Sequence, residues 1–294
     1  MNGHLTLYTL MSVMVVLWSA NFIIGKVALR EFPPVLLGAL RIGLAGAFLA
    51  PVYWHKARKF RPGRDWSILI GLAVCNVGNQ LLFLLGLNRT SVSHSALIIG
   101  IGPMFVLLVA AAMGLERITV RKSAGMAIAL SGVLILVRTA SGHPASGLDG
   151  TEASLTGDVL TALACILFSL FAVYAKRITE RHSPVAVTGF AYMTGAALLL
   201  PIMIWQARDF SFAHVTALGW SSLFYMALFP SVICYLIYYY ALTQISASRV
   251  SAFIYLEPII ATLMAVAFLG EHITTPLVAS GTVIFAGVYL TERS

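Results

Sequence analysis

The stretch PIIATLMAVAFLGEHIT, Pro258 to Thr274, repeats a pattern that the chain has already used 155 positions earlier. There, PMFVLLVAAAMGLERIT runs from Pro103 to Thr119, with the same proline, apolar run and terminal Glu-x-Ile-Thr. A second block repeats at an offset of 150, where WSANFIIGKVALREFPPV (Trp18–Val35) matches FSLFAVYAKRITERHSPV (Phe168–Val185). The chain therefore consists of two related halves.

The composition is that of a protein whose main solvent is lipid. Of the 294 residues, 59% are hydrophobic and 10% are charged, against about 25% charged residues in soluble domains. The net charge of +8 comes from basic residues in short gaps between apolar runs, as in the loops of membrane proteins. We therefore expect the lipid bilayer as a partner and no binding of nucleic acid.

Ten apolar segments are long enough to cross a bilayer, which takes about 20 residues as a helix. They lack the alternation of apolar and polar residues found in lipid-facing β-strands. The predicted fold class is therefore an all-α integral membrane protein. The predicted segments are Leu5–Leu29, Pro34–Trp54, Trp66–Leu87, Val92–Met113, Arg121–Val137, Thr156–Ala175, Pro184–Trp205, Ala217–Leu242, Ser248–Gly270 and Ile273–Leu290.

The basic residues of the loops predict that both termini are cytoplasmic. Thirteen Lys and Arg residues fall on the side of the N-terminus and five on the other, and the richer side is normally the cytoplasm. The predicted organisation is a first five-helix repeat at residues 1–140, an external linker at 141–155 and a second five-helix repeat at 156–294. Because five is odd, the second repeat is inverted in the membrane relative to the first.

Inverted repeats are typical of transporters that bind a small molecule between the two halves and expose it to each side in turn. The alternative is a duplicated scaffold that moves nothing. The repeat thus predicts a small-molecule substrate and a site near the middle of the membrane.

The doubled motif also carries a family resemblance. Together with the early Trp-Ser-x-x-Phe at Trp18–Phe22, the two Pro…Glu-x-Ile-Thr blocks resemble the EamA-type transporters of the drug/metabolite transporter superfamily, over nearly the whole chain from Leu7 to Leu290. The resemblance implies ten helices, a bacterial inner-membrane location and export of small metabolites. Within the family, the chain is most similar to the YddG-type amino-acid exporters.

Two charged residues lie deep within predicted helices. Glu257 is nine residues into its segment and Arg41 is seven residues past Pro34. Placing a charge in the bilayer centre costs at least roughly 2.5–3.5 kcal/mol, so both should face protein or a cavity. Arg41 could bind a substrate carboxylate or pair with an acid elsewhere. Glu257 could bind a substrate ammonium, carry a coupling proton, or be structural.

Two prolines occupy equivalent positions inside these helices. Pro103 and Pro258 each lack an amide hydrogen, which leaves the carbonyl four residues earlier without its helical donor. Such a carbonyl must find another partner in lipid or line a wet cavity. We expect each half to kink at its proline, with a role in gating.

The other candidate cavity residues are polar or aromatic side chains within predicted helices. Interhelical hydrogen bonding, core packing or an aromatic belt at the membrane interface are the alternatives for them. Asn76, Asn79 and Gln80 share one helix face through their spacing, and Ser169 repeats Ser19. The candidates are Trp18, Asn21, Phe22, Asn76, Asn79, Gln80, His94, Ser169, Tyr235, Tyr238, Tyr239 and Phe253.

The sequence does not indicate a metal site or a catalytic nucleophile. Cys75, Cys165 and Cys234 stand singly in apolar runs, and no His/Cys/Asp cluster has metal-ligand spacing. All four aspartates fall in or beside predicted loops, and Glu271 falls at a helix end at the membrane surface. We therefore expect no metal, no cofactor and no enzymatic activity, since an intramembrane enzyme would need an acid pair or an activated nucleophile.

The predicted function is an inner-membrane exporter of small metabolites, above all amino acids, either aromatic or of broad range. Transport would proceed by alternating access around a midplane cavity, and the chain is expected to act as a monomer. The alternative is a proton-coupled efflux transporter of drugs or lipophilic cations. A lipid scramblase or a receptor has no feature of the sequence that would distinguish it.

Overall fold

The computed structural model describes residues 2–57, 60–61, 63–114, 117–140, 154–245, 250 and 253–292. Nearly all of these residues are helical, and no strand occurs among them. Short 3₁₀ turns cover Gly63–Asp65 and Phe212–His214, and a π-helical segment covers Phe229–Ile233. The α-helices are α1 (Asn2–Leu29), α2 (Pro34–Lys56), α3 (Trp66–Leu87), α4 (Val92–Ile99), α5 (Gly102–Ala112), α6 (Val120–Ala140), α7 (Leu155–Thr179), α8 (Pro184–Arg208), α9 (Ala217–Leu228), α10 (Cys234–Gln244), α11 (Glu257–Leu269) and α12 (Thr275–Glu292).

These helices overlap each of the predicted membrane segments. In the described residues, α11 and α12 are shorter apolar helices, and α6 lies at the predicted fifth segment. The all-α fold class is confirmed, and the helices are consistent with ten spans in two repeats. Within the part of the chain that the structure describes, seven helical stretches are long and apolar enough to cross a membrane, namely Leu5–Leu29, Pro34–Lys56, Gly63–Leu87, Val92–Ala112, Leu155–Thr179, Pro184–Arg208 and Ala217–Gln244.

Hydroxyl side chains cap the starts of several helices. Each accepts a hydrogen bond from the amide three residues later, which satisfies one of the free donors of the first turn. The caps are Ser91 for α4, Ser154 for α7, Ser183 for α8 and Thr216 for α9, with bond lengths of 3.2, 3.1, 3.3 and 3.2 Å. The local sequence therefore determines where these helices begin.

Membrane segments of both halves are broken at prolines. A turn separates α4 from α5 just before Pro103, and a turn at Tyr255–Leu256 precedes Pro258 at the start of α11. Pro230 lies in the π-helical segment between α9 and α10. Because a proline has no amide hydrogen, it fits a first helical turn, where no amide donor is required.

Two serines that are repeat equivalents support the first two breaks in the same way. The Ser19 hydroxyl lies 3.3 Å from the carbonyl oxygen of Glu257, and the Ser169 hydroxyl lies 3.3 Å from that of Gly102. Each hydroxyl also lies 2.8 Å from the carbonyl four residues back in its own helix. Each half therefore places a serine hydroxyl against the broken helix of the other half, where its one hydrogen is shared with the nearer carbonyl of its own helix.

Helix pairing follows the inverted repeat. The equivalent helices α2 and α8 pack against each other, and so do α6 and α12. The contact of α3 with α7 corresponds to that of α1 with α9 and α10, and the contact of α1 with α11 corresponds to that of α7 with α4 and α5. The two halves therefore interlock, and the broken helices meet α1 and α7 between them.

Some predicted features lie outside the described residues. These are the linker at 141–155 apart from its last two positions, the first-half Glu116, and Ser248 at the start of the ninth segment.

Candidate functional site

A cavity lies between the two halves, next to the helix breaks. The empty space between the lining residues, including the open space at its mouth, amounts to about 770 Å³. Most of the predicted site residues line it, and they come from α1, α2, α3, α5, α10 and α11. The predicted residues in the lining are Trp18, Asn21, Phe22, Arg41, Asn79, Gln80, Pro103, Tyr235, Tyr238 and Glu257.

Three other predicted residues lie directly behind this lining. Asn76 is fully buried and accepts a hydrogen bond of 3.1 Å from the side-chain amide of Gln80. Ser169 supports the break between α4 and α5, as described above. Pro258 lies in the first turn of α11, next to Glu257. These positions help to hold the cavity walls and are not part of its surface.

Three further predicted residues lie outside the lining of this cavity. Phe253 stacks on Tyr8 at a ring distance of 5.7 Å, so it packs away from the cavity. His94 lies beside Asp158, with 3.4 Å between its Nδ1 and the carboxylate. Tyr239 is fully buried against Phe171. In each case the side chain contacts a residue from a distant part of the chain. The spacing of residues in the sequence does not reveal such a contact.

The remaining lining residues were not singled out from the sequence. Several of them are the repeat equivalents of residues that were singled out. The offsets of 150 and 155 between the two halves could therefore have identified them. Phe168 corresponds to Trp18, Phe83 to Tyr238, and Gly102 to Glu257. The lining residues missed are Phe83, Ile99, Gly102, Val106, Cys165, Phe168 and Ile254.

Four aromatic rings form one wall of the cavity. Trp18 lies 6.1 Å from Phe168, 5.9 Å from Tyr235 and 5.8 Å from Tyr238, measured between ring centres. Phe168 also lies 5.8 Å from Tyr238. Tyr238 therefore contributes its ring to this wall of the cavity. Such a wall offers apolar contact and ring faces that attract cations.

Amides of α3 form a hydrogen-bonded polar edge beside these rings. The side-chain amide of Asn79 donates to the hydroxyl of Tyr235 at 3.3 Å, and that of Gln80 donates to the hydroxyl of Tyr192 at 3.0 Å. Tyr192 is fully buried on α8. These contacts join helices of both halves and fix the orientation of the amides.

One basic and one acidic side chain line the cavity without forming an ion pair with each other. Arg41 is 3% exposed and donates from Nε to the hydroxyl of Ser231 at 2.8 Å. Its Nη1 is buried and has no hydrogen-bond partner among the described residues. Glu257 is 6% exposed, and no side chain in the described part of the chain hydrogen-bonds or ion-pairs with its carboxylate. The buried Oδ1 of Asn21 also lacks a described partner.

Two acids lie at helix ends on the predicted outer side, as expected, and both are buried. Glu271 is 7% exposed, and its carboxylate accepts from the amides of Val92 and Ser93 and from the Ser93 hydroxyl at 2.7, 3.1 and 2.6 Å. Asp158 lies in the first turn of α7 and accepts from Thr90 at 2.7 Å. The free donors and positive end of a helix N-terminus stabilise a buried carboxylate, which spacing alone could not predict.

The cavity presents a guanidinium, a carboxylate and amides around an aromatic wall. Among the described residues, no group of three His, Cys, Asp or Glu side chains is placed to hold a metal ion. The arrangement suits the binding of a small molecule that carries both charges.

Comparisons with known proteins add a family and relatives. The family model described as "EamA-like transporter family" matches residues 5–138 and 155–293. An "Uncharacterized transporter" of Archaeoglobus fulgidus is 27% identical, over 97% of this chain and 96% of that protein. The "Uncharacterized inner membrane transporter YedA" of Escherichia coli K12 is 25% identical, over 98% and 91%.

One further relative is named for an activity, and a solved structure shares the fold. The "Probable amino-acid metabolite efflux pump" of Salmonella typhimurium is 26% identical, over 94% of this chain and 91% of that protein. A crystal structure with 18% sequence identity superposes with a TM-score of 0.68, over 97% of this chain and 96% of the other. That likeness concerns the fold alone.

Proposed function

Because the chain is a multi-pass membrane protein of the EamA-like transporter family, we propose that it exports amino acids or similar small zwitterions by alternating access. The membrane would be the bacterial inner membrane, with both termini in the cytoplasm. The observation that carries this proposal is that a buried basic side chain and a buried acidic side chain, Arg41 and Glu257, line one cavity without forming an ion pair with each other. The efflux activity in the name of the Salmonella relative supports the same substrate class.

The physical argument rests on the cost of buried charge. A buried ion is strongly unfavourable unless a partner of opposite charge or several hydrogen bonds compensate it. An amino acid supplies a carboxylate for Arg41 and an ammonium for Glu257, and its side chain can contact the aromatic wall. The inverted repeats that surround the cavity are the arrangement that exposes a central site alternately to the two sides.

The test is uptake into proteoliposomes that contain the purified protein. A panel of labelled amino acids, nucleosides, sugars and cationic dyes should give saturable transport of amino acids that is absent from empty liposomes. Unlabelled amino acids should compete, and the matching amines without a carboxylate should not. Transport of dyes alone, with no amino-acid transport, would reject the proposal.

A second candidate function is proton-coupled efflux of lipophilic cations. It is favoured by the position of Glu257 beside Trp18 and other rings, since both a carboxylate and ring faces attract organic cations. In this case Glu257→Gln should abolish dye transport driven by a proton gradient. The control is Glu180→Gln, which removes an exposed carboxylate at the end of α7. Full transport by Glu257→Gln would exclude proton coupling through this residue.

A further inference from the structure

The π-helical segment between α9 and α10 has a local cause in its proline. Pro230 has no amide hydrogen, so the carbonyl of Met226 four residues earlier loses its usual donor. The hydroxyl of Ser231 takes over, donating to this carbonyl at 2.8 Å. Ser231 is fully buried. Irregular helical turns of this kind often occur at functional sites.

This bond determines how Ser231 meets Arg41. A serine hydroxyl has one hydrogen to donate and two lone pairs that can accept. With its hydrogen directed to Met226, Ser231 accepts from the Nε of Arg41 at 2.8 Å. Gln80 lies farther from the same hydroxyl, at 3.4 Å. Among the described residues, the second half of the chain thus holds the arginine of the first half through a single acceptor, the Ser231 hydroxyl.

The guanidinium is left with one edge for a ligand. Its Nε, which belongs to the side edge, is occupied by Ser231. Its Nη1, which belongs to the end edge, is buried and has no hydrogen-bond partner in the described part of the chain. No acidic side chain within those described residues forms an ion pair with it. Two parallel N–H groups of a guanidinium match the two oxygens of a carboxylate.

The repeat indicates that this arrangement is not required by the fold. At the offset of 150, the position of Arg41 is occupied by Ala191 in the second half. At the offset of 155, the position of Ser231 is occupied by Asn76, which bonds to an amide of its own helix. The basic group and its acceptor occur once, and Arg41 lines the cavity.

We propose that Arg41 binds the carboxylate of the substrate end-on through its two Nη groups, and that Ser231 is the positioning residue that sets this orientation. The inference rests on the proposed function and deepens it, since it makes a free carboxylate the group that the protein selects. Trp18 supports the same geometry, because its indole N–H donates to the carbonyl of Pro230 at 3.2 Å and ties the cavity wall to the π-helical segment.

The test measures binding to the purified protein in detergent by calorimetry. The ligands are alanine, leucine and phenylalanine, each compared with its amide, which keeps the ammonium and the side chain but lacks the carboxylate. Wild-type protein should bind at least one of the amino acids more tightly than its amide. Ser231→Ala should weaken binding of that amino acid about tenfold, as for one lost hydrogen bond to a charged group, and leave binding of the amide unchanged.

Two further variants separate positioning from folding. Ser231→Thr keeps the hydroxyl and should retain most of the affinity. Arg41→Gln leaves the bond between Ser231 and Met226 in place and should remove the preference for the carboxylate. Equal losses for amino acid and amide in Ser231→Ala, or a preference that survives Arg41→Gln, would overturn the inference. So would a wild-type protein that binds none of the three amino acids.

The same protein in liposomes distinguishes this inference from the proposed function. If the amino acids bind with the expected dependence on Arg41 and Ser231 but are not transported, the export proposal fails and the carboxylate site stands. If amino acids are transported but the variants lose no carboxylate preference, export stands and the assignment of Arg41 and Ser231 fails.

Discussion

Arg41 and Glu257 occupy positions where the other half of the chain has Ala191 and Gly102. Many other lining residues come in equivalent pairs, such as Trp18 with Phe168. These equivalent pairs form a cavity lining to which both halves contribute. Arg41 and Glu257, which have no ionisable equivalent in the other half, add a basic and an acidic group to that lining. Because a buried charge is costly without compensation, these two residues are the ones at which substrate selection would act.

A different buried acid, Glu271, has a role in stability that can be tested. Glu271→Gln should lower the free energy of unfolding by about 2 kcal/mol, because one neutral amide replaces a carboxylate that accepts from three donors at the start of α4. Lys26, which is buried and interacts electrostatically with Glu271, would also lose a compensating charge. The measurement is thermal or chemical unfolding of the purified protein in one detergent.

The matched control for this prediction is Glu31→Gln. Glu31 also accepts from a helix start, through the amide and hydroxyl of Thr216 at 2.7 Å each, but this contact is exposed. Its loss should cost less than about 1 kcal/mol, as for other exposed caps. Equal destabilisation by both changes would contradict the importance of burial at Glu271.

At the scale of the elements, the breaks and the close helix contacts have different causes. The breaks before α5 and α11 arise from prolines and are supported by Ser19 and Ser169. The close contact of α6 with α12 arises from glycines. A Cβ added to Gly125 would lie 2.6 Å from the carbonyl oxygen of Gly287, so the two backbones touch directly. Such contacts by small residues are the usual way in which helices associate in lipid.

Gly287→Ala should therefore destabilise the protein by about 1–3 kcal/mol, the range for overpacking. The new methyl group would meet the backbone of Ala129 and would lie 2.5 Å from the carbonyl oxygen of Gly125, and backbone cannot move aside as a side chain can. The melting temperature in detergent is the measurement.

Gly281→Ala on the same helix is the control. Its added carbon would lie 3.5 Å from the side chain of Leu97, an ordinary contact. This change should be neutral or slightly stabilising, because alanine favours helix over glycine by up to about 1 kcal/mol. Gly125, Gly132 and Gly287 have such close backbone contacts, and Gly281 does not. A drop in melting temperature as large as that of Gly287→Ala would refute the packing argument.

At the scale of the whole molecule, the two halves interlock around the cavity and carry related contacts at opposite ends. Asp65 at the start of α3 pairs with Arg181 and His182 at 3.1 and 3.0 Å, on the predicted cytoplasmic side. Glu31 and Thr216 make the corresponding contact on the predicted outer side. An inverted duplication places the same pair of helix ends on both surfaces, which is the symmetry that alternating access exploits.

The orientation of the molecule can be measured with reporter fusions. Alkaline phosphatase, which is active only outside the cytoplasm, should be inactive when fused to the C-terminus and active when fused within the linker near residue 147. A green fluorescent protein should give the opposite result at the two positions. The excess of basic residues on one side is the physical reason for this expectation. Phosphatase activity at the C-terminus would reverse the assignment of the two sides.

The sequence predicts those features of the fold whose physical cause lies within a short stretch of the chain. The helices around Leu5–Leu29 and Trp66–Leu87 follow from apolar length, since lipid forces each segment to satisfy its own backbone. The breaks at Pro103 and Pro258 follow from a missing amide hydrogen. The candidate site was predicted less completely, because Phe168 lines the cavity through its equivalence to Trp18, whereas His94 and Phe253 turn to distant neighbours.

By itself, the sequence determined the all-helical membrane fold, the inverted duplication and the two unpaired charges that stand out from the repeat. These follow from composition, periodicity and comparison of the chain with itself. Only the tertiary structure decided that Arg41 meets Ser231, 190 positions away, and that Glu271 lies at the start of α4. Such contacts depend on how helices distant in the chain cross and rotate, and many close-range packing interactions together determine that arrangement.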